Sequence, residues 1–125
     1  MIWDSYVVLA AHLVRLEPEA AKRSAVSRAY YGVFNASRNR LEVDGMKIEN
    51  HRAHERVWRA FRTAEHASSA TERKWRMVGE LGAGLRGLRN QADYADVVPA
   101  LDRRAEWAVG IAERILILLD ELEVS

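Results

Sequence analysis

The sequence predicts an all-α fold, an up-and-down bundle of four to five helices that takes in residues 1–125 as one domain. Three observations predict it. Apolar residues recur at spacings of three and four along most of the chain, the period of a helix buried on one face. No run alternates apolar and polar residues for long enough to make a strand. Two prolines and no low-complexity tract leave helices joined by short connections.

The first helix, about residues 3 to 16, sets Trp3, Tyr6, Val7, Ala10, Leu13 and Val14 on one stripe and ends before Pro18. The second, 19 to 43, stops at Asp44-Gly45, where glycine can take the left-handed cap. It has two packing faces. Ala25, Ala29, Gly32 and Ala36 form a line of small side chains along which another helix can approach, and Val26, Tyr30, Val33 and Leu41 form a bulkier stripe. Ser24, Ser27, Arg28, Tyr31, Asn35 and Arg38 make a third, polar line at helical spacing. Such a line is either a solvated surface or a cleft wall rich in hydrogen-bond donors.

The third helix, about 50 to 66, opposes Ala53, Val57, Ala60, Phe61 and Ala64 to Arg52, Arg56, Arg59 and Arg62. The fourth runs from Thr71 as N-cap to about Gln91, with Trp75, Val78, Leu81, Leu85, Leu88 and Ala92 in register. Gly79, Gly82, Gly84 and Gly87 fall inside it, each costing about 1 kcal/mol against alanine. Close approach of another helix, or a bend, would justify that cost. Asp96 and Pro99 open the fifth helix, which carries Leu101, Ala105, Ala108, Ile111, Ile115 and Leu119.

Composition narrows the function. There is no cysteine, which excludes a disulfide scaffold, a thiolate metal site and a cysteine nucleophile. The start lacks a basic segment and a small-residue cleavage site, and no apolar run approaches the roughly 18 residues of a membrane span. A soluble, cytoplasmic protein is the expectation. Net charge is only +1, yet between His51 and Arg89 nine lysines and arginines face four glutamates. That local excess suits the phosphates of RNA or a nucleotide on the middle helices, or is a solvated helix surface.

Two further motifs carry little. "GAGLRG", residues 82–87, satisfies G-x-G-x-x-G, but helical spacing continues straight through it, whereas a dinucleotide site needs a preceding strand. In "HRAHE", residues 51–55, two histidines stand near a glutamate without a third ligand, so no metal or cofactor is expected.

The blocks "RSAVSRAYYGVFNASRNRL", residues 23–41, and "LRGLRNQADYAD", residues 85–96, are more specific. Together with the opening Trp3, Tyr6, Leu9 and Ala10 and the pair His54 and Phe61, they resemble the HEPN superfamily of small helical-bundle proteins, in its prokaryotic group with R-S-A-x-S-R-A-Y-Y and L-R-x-x-A-D-Y signatures. The resemblance implies a homodimer that acts in a toxin-antitoxin or defence module, often beside a small nucleotidyltransferase. Many members are metal-independent ribonucleases with an R-x4-6-H motif, in which arginine stabilises the phosphorane and histidine moves protons.

On that pattern Arg89 and Asn90 are the candidate catalytic residues, with Tyr94 standing where the shortest motif places its histidine. A phenol of unperturbed pKa about 10 is a poor base, so His54 on the third helix is the alternative. Ser27, Arg28, Tyr31, Asn35 and Arg86 are the candidate RNA- or nucleotide-binding residues. The rival expectation is a non-catalytic module that binds nucleotide or pairs with a nucleotidyltransferase, which in some relatives attaches AMP to a tyrosine near the motif.

Overall fold

A computed structural model describes residues 2–123, which form five helices and no strand: α1 (Ile2–Leu13), α2 (Glu19–Val43), α3 (Ala53–Arg62), α4 (Ser69–Tyr94) and α5 (Leu101–Glu123). The all-α expectation is met. None of these helices is long and apolar enough to cross a membrane.

α2 is the central element and packs against the other four helices. Its small-residue line and its bulky stripe are both buried: Ala25, Ala29, Tyr30 and Val33 are fully enclosed, and Gly32, Val26, Ala36 and Leu41 nearly so. Burying two faces of one helix lets a chain this short close a continuous core. Trp58, Phe61, Leu85, Ile115 and Leu118 from the other helices fill it. The polar line of α2 stays half-buried from Ser27 to Arg38, with Ser24 and Arg28 exposed.

Several boundaries differ from the sequence reading, each for a local reason. α1 stops at Leu13, and after a last i→i−4 bond from Val14, Arg15 and Leu16 tighten into i→i−3 turns while Lys22 Nζ donates to the Val14 carbonyl at 3.0 Å. α3 is shorter than 50–66 because Arg52 takes a left-handed conformation at φ 54°, which ends helical geometry on its N-terminal side. At its other end Thr63 Oγ1 bonds back to the Arg59 carbonyl. The cap of α4 is Ser68, whose hydroxyl accepts from the Thr71 amide at 3.3 Å; Thr71 lies inside the first turn. α5 begins at Leu101 and not at Asp96 or Pro99, since Ala100 stands at φ 52°. Gly45, at φ 93°, follows α2 in the left-handed region as expected.

Candidate functional site

The two sequence blocks meet. Arg23, first residue of the earlier block, donates to the carbonyls of Ala92, Ala95 and Asp96 at 3.0, 2.6 and 3.0 Å. One guanidinium thereby satisfies carbonyls that the end of α4 leaves without helical partners.

About two turns further along α2 and one turn back along α4, Arg89 lies over the rings of Tyr30 and Tyr31, 5.1 and 5.2 Å from their centroids. Stacking a guanidinium on two phenols compensates part of its desolvation. Arg89 is 6% exposed, makes no hydrogen bond to any described residue, and has Asp93 Oδ2 at 3.7 Å, beyond hydrogen-bond range. Its Nε is buried and unpartnered, and so is that of Arg86, one turn earlier on α4. Two enclosed donors without acceptors are costly unless something anionic or water satisfies them.

α3 completes the cluster. Trp58 Nε1 donates to Tyr30 Oη at 3.1 Å, and Tyr30 Oη lies 2.6 Å from His54 Nδ1. Burial raises the Tyr30 pKa, so its hydroxyl is protonated at neutral pH and is available to donate to an unprotonated Nδ1. His54 stacks on Phe34 at 4.1 Å. Burial first, then Arg89, Arg86 and Arg38, lower its pKa to about 4. The imidazole is therefore neutral, and with Tyr30 donating to Nδ1 its proton sits on Nε2.

The remaining expected residues divide. Tyr31 belongs to the cluster, and half-buried Ser27 lies near it on the same face of α2. Asn35 is half-buried and spends its amide on the Tyr31 carbonyl at 2.8 Å. Arg28 turns away to α1, where it lies 5.8 Å over the Tyr6 ring. Asn90 is exposed, about 100° around α4 from Arg89. Tyr94, 75% exposed, stands about 140° around from Arg89. His51 is exposed, and among the described residues no three His, Cys, Asp or Glu side chains converge as a metal site would need.

The chain matches no protein family, curated protein or solved structure. The chemistry must be read from its own geometry. Three members of the cluster are absent from the candidate site residues that the sequence supplies: Tyr30 and Trp58, because a buried stripe reads as packing, and Phe34, because it falls between stripes. The adjacency of Tyr30 to Tyr31 is the one signal that points to them. A groove of about 400 Å³ lies elsewhere, between Asp4, Asn39, Arg40, Val43 and Leu116, and shares no residue with the cluster.

Proposed function

We propose that this chain is a HEPN-like protein that binds RNA or a nucleotide through its phosphates at the cluster of Tyr31, His54, Arg86 and Arg89, as the ribonuclease component of a toxin-antitoxin or defence module. The observation that carries it is the buried Arg89 guanidinium without a hydrogen-bond acceptor, with Arg86 Nε in the same condition. A phosphate supplies several acceptor oxygens and a matching charge. His54 supports the same reading, because neutral imidazole offers Nε2–H to a phosphate oxygen. Tyr31 adds a half-buried ring on which a base can stack.

For cleavage, the 2′-oxygen attacks the adjacent phosphorus, the bond to the 5′-oxygen breaks, and a proton passes from the nucleophile to the leaving oxygen. Arg89 stabilises the phosphorane charge. His54 stands in for the histidine missing after Asn90, but its Nδ1 is taken by Tyr30 and its Nε2 carries the proton, so it offers the phosphate a donor and is a poor base. That weakness favours a second reading, a non-catalytic nucleotide-binding module or the partner of a nucleotidyltransferase, for which Tyr94, 75% exposed at the end of α4, is an accessible acceptor. In either reading the chain acts as a homodimer, supported by Trp107 and Ile117, 63% and 51% exposed on one face of α5.

The test is RNA binding and cleavage in EDTA by wild type, Arg89→Lys and His54→Gln, with helical content checked by circular dichroism. Arg89→Lys keeps the charge and loses the planar fork, so a drop of about tenfold or more in affinity is expected. Cleavage lost in both variants supports the ribonuclease. Binding without cleavage by wild type supports the non-catalytic module. Wild type that binds neither RNA nor nucleotide overturns both.

A further inference from the structure

Elsewhere on the molecule Arg23, Arg38, Arg40 and Arg76 each hold a carboxylate four residues away, at 2.7–3.2 Å. The outer face of α3 gathers three that do not. Arg52, Arg56 and Arg59 are exposed, and among the described residues no carboxylate comes within 4 Å of any of them. Arg56 Nε bonds only a carbonyl, that of His51, at 2.9 Å. Glu55 stands among them without pairing, and lines with the three arginines a hollow of about 130 Å³. Lys47, also exposed and unpaired, faces them across a groove of about 270 Å³ whose walls include Met46, Ile48, Arg56 and Arg59.

We propose that this face of α3 and the 46–48 segment is a binding track for single-stranded RNA, separate from the Arg86–Arg89 cluster. It rests on the RNA reading above and names the ligand's size, since a mononucleotide cannot span both. His54 and the stripe lie on opposite sides of α3, so the track holds chain beyond the nucleotide at the cluster.

Arginine chemistry favours RNA over an acidic polypeptide. A guanidinium both pairs with a phosphate and stacks on the face of a base, whereas an acidic chain engages it through its carboxylates alone. Arg52 to Arg59 covers about 10 Å along the helix at 1.5 Å per residue. Met46, 46% exposed in the same groove, gives a ribose or base an apolar seat. Guanidinium forks match phosphate bidentately.

The experiment measures, against salt concentration, the affinity of an RNA of about 12 nucleotides, within the range single-strand sites span. Wild type is compared with the exposed triple variant Arg52→Gln/Arg56→Gln/Arg59→Gln, and with Arg52→Gln/Arg59→Gln, which keeps the Arg56 bond to the His51 carbonyl should the triple fail to fold. Binding of adenosine monophosphate and the effect of Arg89→Lys are followed alongside, and polyglutamate serves as competitor. The expected result is about tenfold weaker RNA binding in the triple variant, with a log–log salt slope shallower by about two units at about 0.7 per phosphate, and unchanged binding of the monophosphate. Unchanged RNA affinity and slope overturn the track while leaving the Arg89 reading intact. Polyglutamate that displaces RNA at equal charge assigns the face to an acidic protein instead. No RNA binding by wild type sinks both.

Discussion

His54 is neutral because burial against an aromatic wall, and then three nearby arginines, disfavour its charged form, and the sign of its contribution to stability follows. Its ordinary value is 6.5, while the folded value is about 4. Between those two the unfolded chain binds a proton that the fold refuses. The stability it contributes is therefore complete above pH 6.5 and is lost as pH falls through about 4. Urea midpoints of wild type should fall over that window, and those of His54→Gln should fall less over the same range. Parallel curves for the two would mean that His54 is not held neutral. Tyr30 takes the opposite direction, raised by burial, and keeps its proton throughout. The sequence names Arg89, Tyr31 and His54 as candidates, but the relay through Tyr30 is illegible in it: Tyr30 and His54 are 24 positions apart, and no local pattern records that distance closing.

At the scale of elements, α4 runs unbroken through its four glycines. Of the two reasons that would justify them, close helix approach holds for one pair. A Cβ on Gly79 would stand 2.7 Å from the Arg62 amide nitrogen and from the Trp58 carbonyl oxygen, and one on Gly82 would overlap the Trp58 indole. α3 thus lies against α4 at a distance only glycine permits. Gly84 and Gly87 have nothing within 4 Å of such an atom. Gly84→Ala and Gly87→Ala should each stabilise the protein by about 1 kcal/mol through helix propensity, whereas Gly79→Ala should destabilise it, since backbone on α3 must move. Thermal melts of the three variants check this. A stabilising Gly79→Ala would mean that α3 and α4 pack less closely than described. Helix ends are harder to read than interiors, because the left-handed turns at Arg52 and Ala100 belong to residue types that give no sign of them.

For the whole molecule, one stripe of α5 faces outward with Trp107, Gly110, Arg114 and Ile117 on it. An indole 63% exposed beside a glycine with open space around it is a surface that a second copy can cover. Sedimentation velocity should give a dimer for wild type and a monomer for Trp107→Asp, with unchanged helical content. A wild-type monomer at micromolar concentration would remove the dimer from the proposed function. Much of the bundle is legible in the amino-acid sequence alone: the helical class, the span of α2 with its two buried faces, and the glycine cap that follows it. These are properties of single helices, and a period of 3.6 residues marks which side of a helix avoids water. Periodicity does not say which other helix covers that side. That Arg23 ties off α4, that Arg89 is enclosed by two tyrosines, and that a histidine from α3 joins them all depend on how three helices dock. Docking is settled by the fit of side chains against each other, such as Trp58 over Gly82, and it selects which of the chain's many arginines is buried and which are left to meet solvent or a ligand.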